Sequence, residues 1–157
     1  MAVRYISVIS LMFACSGCTI NKYPAAGLEH ENHVAEITLE KEGCPSGCPE
    51  YTMTLTRPKR VILTGRANME HIGNFHFNLN RSLQDSIWRV IDQANFMEMK
   101  DQYHIDTEDT QMRILHIKWD GTNEEKRILF KALIPHDLTA VEKMLDRLAA
   151  SGEWKRD

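Results

Sequence analysis

The stretch Tyr51-Thr52-Met53-Thr54-Leu55-Thr56 alternates apolar and threonine side chains without a break. A strand turns successive side chains to opposite faces, whereas a helix repeats about every 3.6 residues, so this pattern hides its apolar half only as a strand with one buried face. The same period recurs at Ala35, Ile37 and Leu39, and again at Phe75, Phe77 and Leu79 against Asn74, His76 and Asn78. Alternation of this kind marks antiparallel sheets, which bury one side and wet the other. Arg57 to Arg60, RPKR, supplies a proline-led turn, and Val61 to Gly65, VILTG, reads as the returning partner. A second hairpin is expected with Leu115, Ile117 and Trp119 on one strand, Asp120-Gly121 at the turn, and Ile128, Phe130 and Ala132 on the return.

Two segments change to helical spacing. Ser82, with Asp85 three places on, reads as an N-cap, followed by Leu83, Ile87, Val90, Ile91 and Ala94 on one stripe. The second helix starts near Asp137, after Pro135, carries Leu138, Val141, Leu145, Leu148 and Ala149, and meets a stop at Gly152. Each element has one apolar face, and pairing both helices with one side of the sheet hides all of them. The fold class is therefore α+β: an antiparallel sheet with two helices packed on one face, its hairpin-then-helix order suggesting a duplicated unit. With 157 residues, 43% of them hydrophobic, one core suffices.

The ends of the chain carry a separate message. Arg4 precedes the apolar run from Tyr5 to Ala14, which is shorter than the roughly 20 residues a spanning helix needs and has the pattern of an export signal. Ser16-Gly17 leads into Cys18, and this leader resembles the lipobox of bacterial lipoproteins, with Cys15 standing where a leucine is usual and offering a poorer second site. The resemblance implies cleavage before Cys18, lipidation of its thiol and amine, and a protein held on a membrane of the cell envelope. By the same resemblance, to enterobacterial lipoprotein sorting, Thr19 rather than an aspartate after the lipidated cysteine implies the outer membrane, with the domain facing the periplasm or the surface. Residues 1–17 are then signal peptide, residues 18–33 a polar tether, and residues 34–152 a single domain.

Cys44 and Cys48, in Cys44-Pro45-Ser46-Gly47-Cys48-Pro49-Glu50-Tyr51, are the two thiols left after such processing. An even count in an oxidising compartment reads first as a disulfide. A redox pair more often has the C-x-x-C spacing at a helix start, and Pro45 and Pro49 oppose helix here. Zinc would need two more ligands, for which His30 and His33 are the candidates. The run from Ile37 through this turn, the following VILTG, then Tyr103, an Asp-Thr pair and Pro135-His136-Asp137-Leu138 is similar to a bacterial family of unknown function with a C-x-x-x-C-P-x-Y signature. That resemblance supports the fold and names no reaction.

The formal charge of -3 gives no electrostatic footprint for nucleic acid. No P-loop, dinucleotide fingerprint or nucleophile elbow occurs, and the histidines show no repeated ligand spacing. The residues imply no cofactor and no metal, and the chain reads as a binding module rather than an enzyme. The alternative is a periplasmic thiol-redox or metal-dependent enzyme using Cys44 and Cys48. The loop from Lys100 to Gln111 is the candidate binding surface for an envelope protein or a small ligand. It places Tyr103, His104, Asp106, Glu108 and Asp109 together in a long polar connection of the kind that carries binding residues.

Overall fold

The computed structural model describes residues 33–103, 109–131 and 134–157. Within them the alternating segments form β1 (Val34–Lys41), β2 (Glu50–Thr56), β3 (Arg60–Ala67) and β4 (Gly73–Asn78), followed by α1 (Arg81–Gln93). The second half contributes β5 (Gln102–Tyr103), β6 (Arg113–Trp119), β7 (Glu125–Phe130), α2 (His136–Ser151) and β8 (Lys155–Arg156). They make one eight-stranded open sheet in the order β5-β7-β6-β1-β2-β3-β4-β8. Every neighbouring pair is antiparallel except β5 with β7. The α+β class expected from the alternation is the one found.

Register explains why the core falls on one side. Ile128, Leu115, Leu39, Met53 and Leu63 stand opposite one another across five strands, and Ile117, Ile37, Leu55, Val61 and Phe77 form the next row. All ten are buried, in one cluster that includes Ile87, Trp88 and Ile91 from α1 and Leu138, Val141 and Leu145 from α2. Both helices thus cover the same face. The other face carries the threonines, where Thr38 and Thr54 share a hydrogen bond of 2.9 Å.

The helix start differs from the sequence expectation. Asn80, not Ser82, is the N-cap of α1: its backbone is extended and its Oδ1 accepts from the Leu83 amide at 2.9 Å. The cap sits two residues earlier, so Leu83 lies on the first turn at the edge of the apolar stripe and is 38% exposed. The helix is locked to the β2–β3 turn by Trp88 Nε1, which donates to the Pro58 carbonyl at 2.8 Å, and by Arg57, whose guanidinium lies 4.2 Å from the Trp88 ring centroid and pairs with Asp92. The second hairpin turns through a longer connection than Asp120-Gly121 alone, with β7 beginning only at Glu125.

Two strands have no signal in the sequence because they are too short to show a period. In β5, Tyr103 accepts from the Lys131 amide through its carbonyl. Beyond Gly152, Trp154 packs edge-on against Phe77 at 4.7 Å, and β8 pairs with Phe75 and His76 of β4.

Candidate functional site

One row of the covered face departs from the apolar pattern. Two residues beyond Leu39, Met53 and Leu115 in the same phase stand Lys41, Tyr51 and Arg113, which face one another across β6, β1 and β2 and continue into Gly65 and Gly73 on β3 and β4. Above them α2 presents Glu142 and Asp146, one helical turn apart and so on one face. Lys41 Nζ reaches Asp146 Oδ2 at 2.8 Å and Glu142 Oε1 at 3.1 Å. Arg113 Nη1 donates to both Glu142 oxygens, at 2.8 and 3.0 Å, its Nη2 donates to the Lys131 carbonyl, and its plane lies 4.8 Å from the Phe130 ring centroid. Two cations thus balance two anions, as burial demands: Lys41 is 8% exposed and Glu142 7%.

Tyr51 closes the chain of contacts by donating its hydroxyl proton to Asp146 Oδ1 at 2.5 Å. Burial first, and then the Asp146 and Glu142 carboxylates, push the Tyr51 hydroxyl far above its ordinary range. It is a permanently protonated donor at physiological pH. Arg113 Nε is the one buried side-chain polar atom without a partner among the described residues.

The row borders a cleft of about 360 Å³. Lys41 and Tyr51 form its floor, Asp146 and Ala150 of α2 one wall, and Met69 and His71 of the β3–β4 loop the other. That loop crosses the covered side of β3 because residue 65 is glycine: a Cβ there would fall 1.8 Å from the His71 carbonyl oxygen. His71 is braced by Phe75, with ring centroids 5.2 Å apart.

The cysteine turn forms the remaining edge, through Pro49. Cys44 and Cys48 are joined as a disulfide. The glycine one place past the midpoint of the turn has a physical role, since Gly47 adopts φ +84° and donates to the Cys44 carbonyl at 3.0 Å. Gln111 Nε2 donates to the carbonyls of Glu42 and Pro49, at 2.7 and 2.6 Å, and so clasps the two ends of the turn. Asn68 Nδ2 donates to the Cys48 carbonyl at 3.2 Å, joining the turn to the opposite wall of the cleft.

The residues singled out in the sequence are scattered by comparison. Cys18, Cys15 and His30 lie outside the described residues, as do His104, Asp106 and Glu108 of the candidate binding loop. Tyr103 is half-buried against the core, with its hydroxyl accepting from the Lys100 amide at 2.9 Å, and Asp109 is exposed. The far end of that loop meets the cysteine turn through Gln111. His33 sits 3.6 Å from Asp92, away from Cys44 and Cys48, and no group of three potential metal ligands occurs among the described residues. The polar row itself was missed. Its signal was present: Lys41 continues the phase of Ile37 and Leu39, Arg113 that of Leu115 and Ile117, and Glu142 stands between Val141 and Leu145 at core spacing.

Fold and site together define a class: a helix-covered antiparallel sheet with a disulfide-bonded turn at one corner and a compensated ionic row beneath its second helix. The chain belongs to the family described as domain of unknown function DUF6438, whose model matches residues 35–149. That span runs from β1 almost to the end of α2 and contains Cys44 and Cys48, Tyr51 and the whole ionic row. No curated protein matches the sequence.

Proposed function

We propose that the protein is a lipid-anchored protein of the bacterial cell envelope, held at the outer membrane through Cys18, whose domain binds an envelope protein or a small ligand without transforming it. The leader and Cys18 support the anchor. The observation that carries the binding role is the cleft beside the disulfide turn. Its polar floor is fixed in one geometry by internal pairs, and its tyrosine is kept protonated, which suits a rigid recognition surface better than a nucleophile or a general base. The end of the loop from Lys100 to Gln111 meets this surface, because Gln111 holds the cysteine turn.

The experiment is site-specific photo-crosslinking in intact cells. A crosslinker at position 150, in the cleft wall, should give a discrete adduct that one at His116, on the opposite face of the sheet, does not. Equal labelling from both positions, or none from 150, refutes the reading. Labelled palmitate should enter the wild type and not Cys18→Ala.

A thiol-redox enzyme is the second reading, favoured by one observation: the disulfide-bonded turn borders the cleft through Pro49, next to Cys48, and both cysteines are half-buried. Oxidation of one equivalent of a dithiol substrate, with the Cys44–Cys48 disulfide reduced in exchange and no reaction in Cys44→Ser, would select it.

A further inference from the structure

The two sulfurs of the disulfide have different surroundings. Cys44 Sγ lies 3.0 Å from Ser46 Oγ and 3.1 Å from the Cys48 amide nitrogen, and because a disulfide sulfur carries no proton, both groups donate to it. Among the described residues Cys48 Sγ meets only the same hydroxyl, at 3.9 Å, and one hydroxyl proton cannot serve both sulfurs. Negative charge is therefore better stabilised on Cys44 than on Cys48. In thiol–disulfide exchange the sulfur whose thiolate is better stabilised leaves more readily. The turn is also open to a reactant, since Pro45, Ser46 and Gly47 between the cysteines are exposed.

The same turn is coupled to the cleft. The Cys48 carbonyl accepts from Asn68 Nδ2 at 3.2 Å, and Pro49, the next residue, forms the cleft edge. Asn68 is the one non-glycine residue with positive φ, +56°, among those described. Asparagine tolerates that left-handed conformation without preferring it, and the bond to Cys48 helps to hold it there. Directly after Asn68 come Met69, Glu70 and His71, the far wall of the cleft. Met69 lies against Gly65, its Sδ 2.9 Å from where a Cβ would stand. Gln111 holds the carbonyls of Glu42 and Pro49, which flank the disulfide ring, and no carbonyl within it. Opening the S–S bond thus frees the Cys48 carbonyl while the ends of the turn stay clasped.

We infer that Cys44–Cys48 is a thiol–disulfide switch on the cleft: exchange with a dithiol opens the ring, releases Asn68 and shifts the wall formed by Met69 and His71. The loss of binding that follows rests on the reading of the cleft as a binding site, whereas the movement of the wall does not. In the first step a thiolate of the dithiol attacks Cys48 Sγ and forms a mixed disulfide there. The Cys44–Cys48 bond breaks, and its electron pair leaves on Cys44 Sγ, where the Ser46 hydroxyl and the Cys48 amide hold the charge. The second thiol of the reductant, deprotonated, then attacks its own sulfur in the mixed disulfide, and Cys48 leaves as a thiolate. Two electrons have passed to the protein, the cysteines take up the two protons the reductant lost, and the dithiol remains as a cyclic disulfide.

The test follows the methionine methyl signals of the isotope-labelled full-length protein in detergent by nuclear magnetic resonance, before and after dithiothreitol. The Met69 signal, assigned by its loss in Met69→Leu, should shift on reduction, while that of Met53, fully buried in β2, stays in place and reports an intact fold. Asn68→Gly keeps the left-handed backbone accessible and deletes the bond to Cys48, so most of the Met69 shift should be lost. Brief exposure to a monothiol, quenched in acid and mapped by mass spectrometry, should place the mixed disulfide on Cys48 over Cys44 by about three- to tenfold, the range of a single hydrogen bond, and Ser46→Ala should narrow that ratio. The photo-adduct at position 150 should weaken on reduction. A Met69 signal unmoved by reduction overturns the switch and leaves the turn a plain dithiol oxidant. A full shift in Asn68→Gly, or a mixed disulfide mainly on Cys44, overturns the route, and an adduct equally strong in both states overturns control of binding. If Met69 moves but position 150 gives no adduct in either state, the switch stands and the binding reading falls.

Discussion

Leu39 and Lys41 stand two residues apart on β1 and point to the same side of the sheet, and both are covered by the helical layer, at 0% and 8% exposure. Around Leu39 the neighbours are apolar, and an apolar side chain of about the same volume would keep the row buried. Around Lys41 each charged side chain is tied to a named partner, which favours one register of α2 over this row. The apolar rows hold the helices on the sheet. The ionic row fixes where α2 lies along it, and with that the shape of the cleft between Asp146, Tyr51 and the β3–β4 loop.

The comparison breaks most sharply at Glu142. Glu142→Ala leaves Lys41 and Arg113 covered with one anion between them, and removing one partner of a buried pair costs about 3–5 kcal/mol. Leu115→Ala, in the apolar row, costs about 2–5 kcal/mol through its cavity. Urea denaturation should place the two variants side by side. Their rescue should differ, because Lys41→Met, Arg113→Met and Glu142→Leu together remove the three least exposed charges of the row, leaving only Asp146, whose side chain is 38% exposed, and should recover most of the loss. Failure of that triple variant to recover would mean the row contributes more than its own compensation. A variant that recovers stability and loses the position-150 adduct would show that the row serves the cleft.

The cysteine turn is held twice, by its disulfide and by Gln111, and the second hold limits what the first can contribute. For so short a loop the chain-entropy estimate is about 2 kcal/mol. Cys44→Ser with Cys48→Ser should therefore lower stability by no more than this, with the far-ultraviolet spectrum unchanged. A loss as large as that of Glu142→Ala would make the turn part of the core and not a staple at its corner.

The contrast between the rows also explains what could be read in advance. Strict alternation at Tyr51 to Thr56 and at Phe75 to Leu79 gave the strands, and the spacing of Leu138, Val141, Leu145 and Leu148 gave α2, because burial repeats with the period of the backbone. The ionic row obeys the same periods, but a lysine or glutamate in a core phase looks like a break in the pattern until its partners are known, and those lie up to 105 residues away in the chain. Asn80 does not stand out from Ser82 in the sequence, because capping depends on where the backbone turns extended, which neither residue reveals by itself. The parallel pairing of β5 and the edge strand β8 rest on two residues each, too few to carry a period.

Tyr51 sharpens the comparison with pH. The folded protein holds the Tyr51 proton more tightly than the unfolded chain, where a tyrosine titrates near pH 10, so its contribution is complete below about pH 10 and is lost as the pH climbs beyond it. A hydrogen bond to a charged group contributes about 1.5–3 kcal/mol, and the partial exposure of Asp146, at 38%, puts this one at the low end. Tyr51→Phe should lie about 1.5 kcal/mol below wild type at pH 7, with the gap narrowing above pH 10. A gap independent of pH would assign the loss to packing.

The smallest effect is expected from the charges that belong to neither row. Asp109 is exposed, and Asp106 and Glu108 share its polar loop between β5 and β6, whereas Glu142 has two cations within 3.1 Å. Exposed substitutions usually change stability by about ±0.5 kcal/mol each. Asp106→Lys, Glu108→Lys and Asp109→Lys in one chain should thus leave the melting temperature within a few degrees of wild type, against the large fall expected for Glu142→Ala alone. The same triple variant reverses the charge of the loop whose end, Gln111, clasps the cysteine turn, so the adduct formed at position 150 should weaken. A protein that melts early would make the loop structural, and one that folds and crosslinks like the wild type would remove the loop from the binding surface and leave the cleft to act alone.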